Sequence, residues 1–128
     1  SAAEDAVKNM TDQGLERLRQ IQAAQREDLS NYNVDEFIRH DREFHSCIYE
    51  MSLNRELMKL ASNYYDVFRF LGMQAVMGTE ERRLTTIEEH QDILEAMEQH
   101  NPKAAVQAMK KHMEQTETNI RRHIKIAP

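Results

Sequence analysis

A chain of 128 residues with 40% hydrophobic and 30% charged residues, three Gly, two Pro and no Trp has the composition of one helix-rich domain, not of a turn-rich β fold or a pair of domains. A net charge of −5, a pI near 5.7 and 17 dispersed basic residues exclude a basic nucleic-acid-binding face on this segment. The single cysteine, Cys47, excludes an intramolecular disulfide and a thiolate metal cluster within the chain, and makes the cytoplasm the expected compartment.

In chain order, hydrophobic spacing predicts helical segments separated by capping residues. Residues from about Ala2 to Met10 read as the tail of a longer helix, and Ser1-Ala2-Ala3-Glu4-Asp5 lacks the basic start and apolar core of a secretory signal. Thr11 is placed to cap a helix carrying Leu15, Leu18, Ile21 and Leu29, which ends in Ser30-Asn31-Tyr32-Asn33. Asn33 and Glu36 have the form of a capping box and open a helix from Val34 to about Met51. Asn54 starts the longest run, through Leu57, Leu60, Ala61, Tyr64, Val67, Phe68 and Leu71, which loses its pattern near Gly78-Thr79. Arg69 and Gln74 interrupt its most apolar part, leaving it far short of the roughly 20 apolar residues a membrane span requires. Thr86-Ile87-Glu88-Glu89 reads as a second capping box opening a helix to about Gln99. Asn101-Pro102 supplies a cap and an N1 proline for the last helix. The fold class is therefore all-α, an antiparallel helical bundle. No repeat, low-complexity tract or Gly-rich phosphate loop is present, which removes nucleotide binding from the list of functions.

Four polar residues fall on the inward faces of these helices. The stripe Val34, Phe37, Ile38, Asp41, Phe44, His45 and Ile48 carries a carboxylate and an imidazole one turn apart, roughly 5–6 Å at Cβ. The stripe Ile87, His90, Leu94 and Met97 carries one histidine, and Ala105, Met109, His112, Met113, Thr116 and Ile120 another. A buried carboxylate without partners costs several kcal/mol, and a shared cation removes that cost. Three imidazoles and one carboxylate suit Zn²⁺, Ni²⁺, Fe²⁺, Mn²⁺ or Co²⁺, not the oxygen-seeking Ca²⁺ or Mg²⁺. Zinc is the default ion. The competing reading is a buried hydrogen-bonded Asp41–His45 pair with no metal, and inward histidines that merely satisfy one another in the core.

The remaining histidines belong elsewhere. His40 points about 100° away from Asp41 and His100 falls in the turn before Asn101, so both are expected at the surface. His123 shares a face with His112 but lies roughly 16 Å further along the axis, at the rim. The eight methionines are spread over several helices and read as core filling, and Cys47 as structural.

The segments "DREFH", with Asp41 and His45, "SLNREL", "EEHQDILEAM", with His90, and "NPKAAVQAMKKHM", ending next to His112, together with the 22-residue interval from His90 to His112, resemble the FCD domain, the C-terminal domain of GntR-type bacterial transcription regulators of the FadR-like branch. The resemblance covers nearly the whole chain. It implies a bundle of about five to six helices around a central metal or ligand cavity, with Asp41, His45, His90 and His112 as ligands and open coordination positions for water or an effector. Effectors of such domains are typically small organic acids, and Arg69 and Arg83 are the candidate anchors for the far end of a carboxylate effector. The family's winged helix-turn-helix, which binds operator DNA as a dimer, has no room within residues 1–128. One effector-binding and dimerisation domain, working as a homodimer, is expected.

Three functions follow from a histidine-rich ion in such a bundle. The first is a metal-dependent sensor of a small carboxylate, with no enzymatic activity of its own. The second is a metal-dependent hydrolase, for which Glu43 and Glu89 lie beside ligands in sequence but point elsewhere on their helices. The third is a structural metal in a dimerisation domain.

Overall fold

The computed structural model describes residues 12–51 and 77–123. Among them are four helices and no strand: α1 (Asp12–Ser30), α2 (Val34–Met51), α3 (Glu80–Glu98) and α4 (Pro102–His123). The all-helical expectation is met, with fewer helices described than the five to six expected. The segments expected before Thr11 and from Asn54 onward lie outside the described residues.

The two tight connections are built alike. After α1, Asn33 N–H donates to the Asp28 carbonyl at 2.9 Å and Tyr32 N–H to Leu29 at 3.2 Å. After α3, Asn101 N–H donates to Ala96 and His100 N–H to Met97, both at 3.0 Å. Each pair of bonds is a Schellman closure, with a left-handed residue at its centre, Tyr32 (φ 54°) and His100 (φ 52°). The asparagine that ends each closure also starts the next helix: Asn33 Oδ1 accepts from Glu36 N–H at 3.2 Å, and Asn101 Oδ1 from Ala104 N–H at 3.1 Å. Only the asparagine half of the expected Asn33–Glu36 box is used as written, since the Glu36 carboxylate pairs with Arg39.

The start of α3 corrects the reading at Thr86. Thr79 is the cap, accepting from Arg82 N–H at 3.3 Å, and Glu80 and Glu81 place negative charge in the first turn, where the helix dipole favours it. Thr86 instead lies buried inside α3, with its hydroxyl on the Met77 sulfur. The Thr-x-x-Glu pattern recurs inside a helix when both residues lie on its inward face, as Thr86 and Glu89 do, so the pattern alone could not choose between the two starts.

Contacts along the helices fix their directions. Arg17 meets Glu50 and Gln25 meets Phe37, so α1 and α2 are antiparallel. Arg19 meets Glu98 and Gln22 meets the Ile87 carbonyl, so α1 and α3 are antiparallel as well. Arg82 meets Thr116 and Glu89 meets His112, which sets α4 against α3. Two hairpins result, α1–α2 and α3–α4, with α2 and α3 running in the same direction.

Among the described residues the apolar core forms two clusters. One contains Leu15, Leu18 and Ile21, Phe44, Cys47 and Ile48, Ile93, Leu94 and Met97, and Ala105 and Met109. The other holds Phe37, Ile38, Met77, Ile87 and Ile120. Positions 41 and 45, 90 and 112 fall between them on α2, α3 and α4, so a polar layer is sandwiched between two apolar ones. Met97 and Met109 fill the core, as the methionine reading requires.

Tyr32 is 72% exposed, so its left-handed backbone is not offset by packing of its side chain. Replacing it with glycine removes a conformational penalty of about 1 kcal/mol. Tyr32→Gly is expected to raise the thermal midpoint by about 3–5 °C, measured by calorimetry at fixed metal content. An unchanged or lowered midpoint would contradict the strain assigned to this turn.

Candidate metal centre

Asp41 and His45 come from successive turns of α2, His90 from the middle of α3 and His112 from the middle of α4. All four are buried, at about 1% exposure or less. The His90 ring lies flat on Phe44, with centroids 4.1 Å apart and planes within 1°, so an apolar neighbour of the ligands on α2 fixes the imidazole plane. One donor atom from each of the four residues lies within 4.8 Å of every other. With metal–donor bonds of about 2.1 Å, opposite donors of one ion are about 4.2 Å apart and adjacent ones about 3 Å. The cluster therefore has the dimensions of a single coordination sphere. The four residues singled out from the sequence are the four the fold brings together.

The closest approaches decide its chemistry. His90 Nε2 lies 2.9 Å from Asp41 Oδ1, and His45 Nε2 lies 2.9 Å from His112 Nε2. His45 Nε2 is 3.8 Å from Asp41 Oδ1. The tautomers of two rings follow from their outer bonds. Gln25 Nε2 donates to the Phe37 carbonyl at 3.1 Å, so Gln25 Oε1 is the atom facing His90 Nδ1, 2.8 Å away, and Nδ1 must carry the proton. Glu89 Oε1 faces His112 Nδ1 at 2.7 Å, and a carboxylate only accepts, so that nitrogen is protonated too. A neutral imidazole then offers a lone pair at Nε2. At His90 this lone pair confronts a carboxylate oxygen at contact distance, and neither atom has a hydrogen-bond partner among the described residues.

Two unpartnered acceptors wholly buried against each other are repulsive unless positive charge lies between them. Burial, opposed by the contact with Asp41, holds His90 below its ordinary pKa. Burial likewise holds His45 well below, against the attraction of Asp41. Burial would raise the Asp41 pKa, but His90 at contact and the nearby histidines, wherever they carry protons, outweigh it and leave the carboxyl well below the usual range. The residues therefore fit a cation: a carboxylate held below its usual range, His45 and His90 held below their ordinary pKa, and a nitrogen of each of the three rings turned toward one point. Such a group, when bound, supplies Lewis acidity and an anion-binding position.

Residues outside this set support it, and sequence reasoning missed them. Glu89 sits beside His90 but reaches α4, holding His112 while accepting from both Arg82 terminal nitrogens at 3.0 and 3.2 Å. Arg82 also donates to Thr116 Oγ1 at 2.9 Å. Burial would raise the Glu89 pKa, but the bonds from His112 and Arg82 outweigh it and keep the carboxyl ionised. The expectation that Glu89 points away from the ligands holds for its own neighbour on α3 and fails across the helix interface. The signal available in the sequence was the inward Thr116, one turn after His112, and the unbroken polar run Arg82-Arg83 on a helix that must bury a face.

Arg83 is buried, contrary to the surface position that an arginine ordinarily takes, and donates through Nη1 to the Met77 carbonyl at 2.6 Å. Its Nε has no hydrogen-bond partner among the described residues. Arg69 lies outside the described residues, as does the side chain of His123. His40 corrects its surface assignment: it is largely buried and pairs through Nδ1 with Asp28 of α1, because the close α1–α2 crossing covers that flank of the helix. His100 is exposed, as expected.

The acid dependence of the metal-free protein follows from the buried rings. In the unfolded chain His45 and His90 take up protons as pH falls through about 6.5, whereas in the folded state both are held below that value. The unfolded state then binds more protons, so stability present at higher pH is lost on acidification. Depressed Asp41 adds a loss in the same direction below about pH 4. Between pH 7 and 5.5, urea unfolding in chelator is expected to show a loss on the order of 1 kcal/mol per histidine. A stability independent of pH over that interval would mean that the rings take up protons in the fold as they do in the unfolded chain, and a stability that rises on acidification would mean that they are already charged.

The model of the FCD domain matches residues 1–115, a span that contains all four donors together with Gln25, Arg82 and Glu89. No curated protein and no solved structure matches the chain. FCD domains are effector-binding domains of transcription regulators. The extent of the match, with the four inward donors within it, places the chain in the FCD domain family.

Proposed function

We propose that this chain is the metal-dependent sensor domain of a cytoplasmic transcription regulator, in which a divalent ion held by Asp41, His45, His90 and His112 binds a small carboxylate effector. The observation that carries the reading is the buried His90 Nε2 lone pair facing Asp41 Oδ1 at 2.9 Å, an arrangement that a cation relieves. The donor set favours zinc, with nickel, manganese or iron as alternatives set by supply. Four protein donors leave a six-coordinate ion two open positions.

Local charge favours an anionic effector. Asp41 and Glu89 contribute two negative charges and Arg82 one positive, so a divalent ion brings the group to a net positive charge. A carboxylate neutralises it in a dry interior, where such attraction is strong. Arg83, a buried guanidinium whose Nε is unpartnered, is the anchor for the effector's far end, and Arg69 is its alternative. Binding shifts the balance between two packings of the helices and so the placement of DNA-binding domains carried N-terminal to this one in a homodimer. A hydrolase is disfavoured because Glu89, the nearest carboxylate to the ligands among the described residues, is committed to Arg82 and His112 and is not available as a general base.

Elemental analysis of purified protein after reconstitution is expected to show one equivalent of metal, lost when His90 and His112 are both replaced by alanine. Calorimetric titration with small mono- and dicarboxylates should then give at least tenfold tighter binding to loaded than to metal-free protein, and Arg83→Met should weaken it. A parent that stays empty returns the four residues to a buried polar network, whereas equal affinity of both forms removes the ion from the sensing step.

A further inference from the structure

Gln25 is fully buried in the middle of α1, on a face that otherwise presents Leu18 and Ile21 to the core. Burying an amide is costly unless both its ends are bonded, and here both are. Its Nε2 donates to the Phe37 carbonyl, one turn before Asp41 on α2, and its Oε1 accepts from His90 Nδ1 on α3. A single side chain of α1 thus touches the backbone that leads to one ligand and the ring of another. The anchor of His112 is of a different kind: Glu89 and Arg82 both belong to α3. Among the described residues, α1 therefore reaches the donor set through Gln25.

When an ion takes the Nε2 lone pair of His90, the ring becomes electron-poor and its Nδ1–H a stronger donor. The bond to Gln25 tightens accordingly. We infer that Gln25 is a positioning residue through which occupancy of the metal site sets how firmly α1 is seated on α2 and α3. This rests on the metal reading of the four donors and adds to it a route by which the ion governs a helix that contributes no ligand.

The test uses the metal alone as probe. Hydrogen exchange of residues 12–30 is followed with and without one equivalent of Zn²⁺, zinc affinity is read by chelator competition, and the visible bands of the Co²⁺-loaded protein report the ligand field. In the parent, loading should slow exchange in α1. Gln25→Met, close in volume but without an acceptor, should bind zinc about 10–100-fold more weakly, shift the Co²⁺ bands and lose the slowing. Gln25→Glu keeps an acceptor for His90 Nδ1 but gives up the bond to the Phe37 carbonyl, so it should recover the zinc affinity and the Co²⁺ bands without the slowing, which distinguishes positioning from general damage to the core. Unchanged affinity and slowing in Gln25→Met would overturn the inference while leaving the metal site standing, as would a Gln25→Glu protein that binds zinc as weakly as Gln25→Met. A parent that binds no zinc overturns the metal reading itself.

Discussion

The constraint on which the structure turns is the meeting of two acceptors, His90 Nε2 and Asp41 Oδ1, 2.9 Å apart in an interior that water does not reach. Neither atom can be relieved by local rearrangement. His90 is held by Phe44 against its face and by Gln25 at its other nitrogen, and Asp41 is fixed on the same helix as Phe44. The relief available is a positive charge at the shared point, either a proton on a wholly buried ring or a cation bound by all four donors. Burial disfavours the first. The outer bonds of Gln25 and Glu89 are therefore part of the metal chemistry, since without them the rings would be free to present N–H groups inward and satisfy the carboxylate without any ion.

The two anchored imidazoles are not equivalent as donors. His112 gives its outer proton to a carboxylate, which draws the ring toward imidazolate character and strengthens its inner lone pair, whereas His90 gives its outer proton to a neutral amide. Arg82 moderates the first effect by sharing the Glu89 charge, and its bond to Thr116 returns it to α4 one turn beyond the ligand. The α3–α4 side of the site is thus a closed ionic network. From α1, the amide of Gln25 supplies the outer bond to His90.

Much of this was legible in the sequence because it follows from period and polarity. Asp41, His45, His90 and His112 stand out as polar residues at positions where the 3.6-residue period requires apolar ones, and the same period placed Phe44 and Ile48 in the core. Asn33 and Asn101 announced the two connections, though not that each also closes the helix before it around a left-handed Tyr32 or His100. The outer bonds were not legible. Gln25 and Glu89 look like ordinary polar positions on their own helices, and their roles arise only when α1 crosses α3 and α3 crosses α4. Thr86 misled for the converse reason: a capping pattern is local, and the buried contact that keeps this threonine inside α3 is not.

The four donors are divided between the hairpins. Asp41 and His45 belong to the α1–α2 hairpin and His90 and His112 to the α3–α4 hairpin, so a cation held by all four would join the two units through two donors from each. Among the described residues, the layer they form separates the apolar cluster around Phe44 and Met97 from that around Phe37 and Ile120. A continuous apolar layer would hold the hairpins together whatever was bound. A polar layer makes their relative packing answer to the charge at its centre, because each donor left uncompensated favours a looser interface. Under the proposed function, a molecule bound at an ion there would move that balance only by as much as its affinity differed between two packings. The polar layer would let that difference arise from coordination alone, with no contact required between the bound molecule and a helix that shifts.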